Sequence, residues 1–90
     1  MDRNELNKKK GRVEISFEMF QDLKPEMLKE IFSRFYPRFL DTNYHINSLV
    51  YYGISPDFED VEIACVEPTY YIQLQTFEDS EEFKITFVKQ

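Results

Sequence analysis

Only two glycines, Gly11 and Gly53, occur in the 90 residues. A phosphate-cradling P-loop or a dinucleotide fingerprint needs several glycines in one segment, so both are excluded. Cysteine is scarcer still. Cys65 stands alone, so neither an intrachain disulfide nor a thiolate metal cluster can form. It lies in the apolar run of residues 61–66 and reads as a small buried hydrophobe. The single histidine, His45, excludes the paired-histidine motif of zinc proteases. Apolar runs are only a few residues long, far short of the roughly 20 that span a bilayer. A free cysteine without a signal-peptide pattern gives the expectation of a cytoplasmic protein with no membrane partner.

Positive charge is missing from half the chain. Residues 39–83 contain no Lys or Arg and ten Asp or Glu. Residues 1–12 are the reverse, with five cations against two anions. The whole chain carries a formal −6. Such asymmetry bears on partners rather than on fold.

Apolar and aromatic side chains are plentiful, at 42% and 17% of residues. Each Phe or Tyr buries roughly 150–250 Å². That supplies a core even in a short chain, which hides only about 60–65% of its unfolded surface. Residues 1–11 read as a flexible basic arm, and residues 12–90 as one α+β domain.

Within that domain, residues 12–19 alternate apolar and polar, as a half-buried strand does. Pro25 opens a helix whose apolar stripe is Leu28, Ile31, Phe32, Phe35 and Phe39. Pro37 should kink or stop it, with one more turn to about Leu40. Residues 41–47 read as a polar connection. Strands follow over residues 49–54, 59–66 and 70–77, and a last one begins at Phe83. The expected fold is therefore one helix on a four- to five-stranded, mainly antiparallel sheet, in the order β-α-β-β-β-β.

Chemistry-bearing motifs are few. Asp41, Asn43 and His45 sit at alternate positions, as calcium-loop ligands do, but Ile46 occupies the place where such a loop needs glycine. The run is read as a solvated loop or helix cap. His45 has no neighbouring nucleophile or orienting group, and a pairing with Cys65 is permitted by spacing and supported by nothing. No catalytic residue, metal or cofactor is assigned. Arg34, Arg38, the basic arm and the tyrosines argue for direct nucleic-acid binding. The acidic stretch argues against it, because phosphate binding runs on positive charge, and direct binding is not expected.

The acidic residues suggest the opposite role. Asp57, Glu59, Asp60 and Glu62, with Glu78, Asp79, Glu81 and Glu82, are the candidate charges of a negative surface. Tyr51-Tyr52 and Tyr70-Tyr71 are adjacent pairs, so one of each faces away from the other. Tyr52 and Tyr71 are the candidate anchors on the face that the helix leaves uncovered. The reading is a small, non-enzymatic regulatory protein that offers this surface to a basic protein partner. Its sharper form is a nucleic-acid mimic that inhibits a DNA- or RNA-processing enzyme. The alternative is a structural or assembly subunit with a homodimeric sheet face. A small enzyme or ligand-binding domain using His45 is the weaker alternative.

Overall fold

The structure, a computed structural model, describes residues 6–62 and 64–90. Strand β1 (Lys10–Ser16) buries Gly11, Val13 and Ile15 on one side. Ser16 ends it. Its hydroxyl accepts a hydrogen bond from the Met19 N–H at 3.1 Å and so caps helix α1 (Phe17–Asp22). The strand expected to reach Met19 thus gives way to a helix. Helix α2 (Pro25–Arg34) starts on Pro25, whose missing N–H costs nothing in a first turn. Its Met27 and Ile31 are buried.

The extra helical turn to Leu40 does not form. Pro37 pushes Tyr36 out of the helical region, and the chain runs straight into strand β2 (Tyr36–Asn43). The polar connection expected over residues 41–47 shrinks to a tight turn. There the Asn43 side chain accepts from the His45 N–H at 3.0 Å, and Asn47 takes a positive φ of 50°. Strand β3 (Ser48–Ile54) returns antiparallel to both β2 and β1. Strands β4 (Thr69–Thr76) and β5 (Phe83–Lys89) close the chain as a hairpin.

The sheet order is β2-β3-β1-β4-β5. β1 pairs with β4 in parallel and every other pairing is antiparallel. The expected single helix on a mainly antiparallel sheet is therefore corrected. The molecule is mostly sheet, one five-stranded mixed sheet with only small helices among the described residues. The strand expected over residues 59–66 is also absent from the described residues, and Ile63 lies outside them. The described part of this stretch is irregular. It carries the chain past the start of β1, so β4 enters beside β1 and runs the same way. Cys65, expected to be buried, is exposed on this connection for the same reason.

Phe58 is what holds the connection down. Only 2% exposed, it stacks on Tyr70 with ring centroids 4.2 Å apart and 10° between planes. Phe35 and Phe87 close around it at 5.7 and 5.4 Å. Gly11 makes the room for Phe58, and Gly53 lets β2 come close to β3. Gly11 and Gly53 face each other directly across β1 and β3. A Cβ on Gly11 would stand 2.7 Å from the Phe58 ring. A Cβ on Gly53 would stand 2.2 Å from the Tyr36 carbonyl oxygen, which is backbone and cannot swing aside.

Arg34 bolts the helix to the same place. Its Nη2 donates to the Ile85 carbonyl at 2.5 Å, Nη1 lies 3.4 Å from the Asp57 carboxylate, and the guanidinium lies 5.4 Å from the centre of the Phe87 ring. Filling the glycine gap should therefore damage the whole fold. Gly53→Ala is expected to cost about 3 kcal/mol, at the upper end of ordinary overpacking. Phe58→Ala should cost about 3–5 kcal/mol. Urea unfolding measures both, and an unchanged Gly53→Ala midpoint would show that β2 does not need its close approach to β3.

Candidate interaction surface

Both helices add their apolar residues to one side of the sheet. Val13, Ile15, Tyr70, Ile72 and Ile85 meet Met27 and Ile31 there. Tyr51 also lies on this side, its ring 5.3 Å from Phe32. The strand alternation then sends Tyr52 and Tyr71 to the other side. Neither α1 nor α2 lies over that face, and Asn7 borders it, its side-chain oxygen accepting from Arg38 Nη2 at 2.6 Å. Its rows follow from the register: Tyr36, Ile54 and Lys10 in the first, Phe39, Tyr52, Arg12 and Thr69 in the second, and Asp41, Val50, Glu14 and Tyr71 in the third.

The face is aromatic and uneven. Phe39 is 60% exposed, and Tyr36 and Tyr71 nearly half exposed. The Phe39 and Tyr52 rings touch, with centroids 5.6 Å apart. Tyr52 forms a ridge between two hollows. One, of about 460 Å³, has Ile54 in its lining with Lys10, Arg38 and Glu67 around it. The other, of about 360 Å³, has Val50 in its lining with Arg12, Glu14, Asp41 and His45 around it. Val50 and Ile54 are both nearly covered, so neighbouring side chains wall in each depression.

Charge on this face falls in adjacent bands. Arg12 donates from Nε and Nη2 to the Thr69 hydroxyl, at 3.0 and 2.6 Å. That bond ties β1 to β4 and fixes the guanidinium at the surface. Glu14, two residues along the same side of β1, has no hydrogen bond or ion pair from its side chain among the described residues. Carboxylates thus occupy the row beyond Tyr52, and a cation the row it stands in.

The eight candidate acidic residues are not brought together. Asp57, Glu59 and Asp60 lie on the connection before β4 and are engaged inside the fold. Asp57 pairs with Arg34 at 3.4 Å, Glu59 with Lys89 at 2.6 Å, and Asp60 with Lys9 at 3.0 Å. Glu62 is exposed beside them and has no ion pair among the described residues. Glu78, Asp79, Glu81 and Glu82 lie in the β4–β5 turn, at the far end of the hairpin. Eight residues of β4 separate the two groups, about 23 Å at roughly 3.3 Å per step. The aromatic anchors and most of the acid charge therefore belong to different surfaces.

His45 is exposed in the β2–β3 turn, and the length of β3 separates it from Cys65. The His45–Cys65 pairing is thereby removed. Asp41 and Asn43 spend side-chain oxygens on their own turn, at 2.8 Å to the Thr42 N–H and 3.0 Å to the His45 N–H. Among the described residues no three His, Cys, Asp or Glu side chains converge as metal ligands. No helix among them is long and apolar enough to cross a membrane. Sequence reasoning missed Phe39, Arg12 and Glu14 as parts of the open face. The first falls at helical spacing in the chain, and the other two read only as the polar side of a strand.

No family model, curated protein or solved structure matches the chain.

Two ionisations report on the packing. Burial raises the Tyr51 phenol above its ordinary 10.0. The hydrogen bond from Lys89 to Glu59, with the attraction between their charges, raises the ammonium above its ordinary 10.5. Both groups hold their protons more firmly when folded, so their contribution is intact below the unfolded values and lost as pH rises through the folded ones. The urea midpoint should therefore fall above about pH 10. Tyr51→Phe should reduce that fall, and an identical alkaline profile in the variant would show that Tyr51 ionises as freely folded as unfolded.

Proposed function

We propose that this protein is a non-enzymatic binding protein whose working surface is the open face of the sheet. The observation that carries the reading is the display of Tyr36, Phe39, Tyr52 and Tyr71 on the sheet face opposite α1 and α2. Exposed aromatics gathered on a rigid sheet are the residues that protein interfaces favour, because they bury large area for little lost side-chain freedom. Five paired strands hold them at fixed spacing, so a partner meets a preorganised surface.

This reading moves the centre of the function from charge to rings. The acids of the first group already serve the fold through Arg34, Lys89 and Lys9. The β4–β5 turn is what remains for a basic partner. Glu78, Asp79, Glu81 and Glu82 are all exposed there and none has an ion pair among the described residues. It supports the acidic-mimic reading as the second one, on a separate site.

One experiment separates the two sites. The purified chain captures partners, its own copies included, from the lysate of its host at low and at high salt. Under the open-face reading, Phe39→Ser with Tyr71→Ser abolishes capture at either salt, and reversal of the four turn acids to Lys changes nothing. Capture that high salt removes, and that the four reversals abolish while the aromatic variant retains it, assigns the function to the acidic turn instead.

A further inference from the structure

Resting on the open-face reading, we infer that the occupant of this face is a second copy of the same chain, packed sheet to sheet across a two-fold axis that runs perpendicular to the strands. The charge pattern selects both the partner and the axis. On β1, Arg12 stands in one row of the open face and Glu14 in the next. A two-fold axis across the strands and between these rows reverses the strand direction of the second copy. Arg12 of each copy then meets Glu14 of the other. An axis along β1 would instead set Arg12 on Arg12 and Glu14 on Glu14, which repel. Two-fold contacts join one patch to itself, so a surface must complement its own rotated image. Adjacent bands of opposite sign on one strand meet that requirement, and a face of one sign does not.

The relief agrees with the charge. The same axis carries Tyr52, the ridge, over Val50 of the other copy, which lies in the lining of the hollow of about 360 Å³. Each copy supplies one ridge and one hollow. A buried Tyr needs a partner for its hydroxyl, and Asp41, Asn43 and His45 line that hollow. Among the described residues, neither the Glu14 carboxylate nor the Nη1 of Arg12 has a partner within its own chain. Each gains one in the pair. Packed sheets stand about 10 Å apart, close enough for side chains of both faces to interdigitate.

Sedimentation of the full chain tests this with two charge reversals and their mixture. The wild type sediments as a dimer. Arg12→Glu gives a surface with two acids and Glu14→Arg one with two cations, and each raises the dissociation constant about 100-fold or more and runs as a monomer. An equimolar mixture of the two variants runs as a dimer again. In the mixed pair the acid introduced at position 12 of one chain faces the cation introduced at position 14 of the other, and the unchanged Arg12 and Glu14 face each other. Recovery in the mixture also shows that both variants fold, which matters because Arg12 bonds Thr69. Tyr52→Ser, which leaves both charges in place, weakens the wild-type dimer.

A wild-type monomer at the highest soluble concentration overturns the inference. If capture of another protein still required Phe39 and Tyr71, the open-face reading would survive without the second copy. If the monomer instead bound a single-stranded oligonucleotide through Tyr52, the face would belong to nucleic acid. A wild-type dimer unmoved by either reversal and by Tyr52→Ser places the contact on another surface and overturns the inference equally.

Discussion

The stack of Phe58 on Tyr70, seated in the gap left by Gly11, is the contact on which the rest of the molecule depends. It fixes the connection between β3 and β4 against the helix side of the sheet. With that segment pinned, β4 starts at the same end as β1 and must run parallel to it. Ser55 N–H donating to the Lys9 carbonyl at 3.0 Å, and Val61 N–H to the Lys8 carbonyl at 2.7 Å, close the backbone around the same point. Glu59 N–H donates to the Tyr70 hydroxyl at 3.0 Å, so the ring that receives Phe58 also holds the residue after it. Buried polar groups of this kind cost free energy unless paired, and here the pairing and the apolar plug reinforce one another.

The functional surface follows from that asymmetry. The helices, Phe58 and the rings of Phe32, Phe35, Tyr51, Tyr70 and Phe87 gather on one side. The opposite side receives Phe39, Tyr52 and Tyr71, away from α1 and α2. Acidic residues of the connection are drawn into ion pairs at the sheet's end, where they hold elements together. Exposed pairs of this sort contribute little each, but Arg34 shares its charge among Glu30, Asp57 and the Phe87 ring and so joins helix, connection and β5 at one point.

Much of this is legible in the residues, and the failures have physical causes. The alternation around Val13 and Ile15, the helix start at Pro25 and the outward turn of Tyr52 and Tyr71 all follow from side-chain period and helix-start chemistry. Strand β2 does not, because Phe35, Phe39 and Leu40 fall at helical spacing while Pro37 forbids the helix that would use it. The stretch over residues 59–66 has the apolar content of a strand, but its Val61 N–H bonds Lys8 and its Cys65 N–H bonds Glu62, not a neighbouring strand. Phe58 sits between Asp57 and Glu59 and looks like a loop residue in one dimension. Its role, like that of the glycine pair, exists only once β1 and β3 lie side by side. The two groups of acids flank β4, and its length sets them apart in space.

The most direct measurement is hydroxyl-radical footprinting of the purified protein across a range of its own concentration. Phe39, Tyr52 and Tyr71 are expected to lose reactivity together as concentration rises, while Val66, exposed on the connection before β4, stays equally reactive throughout. Reactivity at Phe39, Tyr52 and Tyr71 that does not change with concentration would contradict it, and would leave the open face to an occupant other than the chain itself.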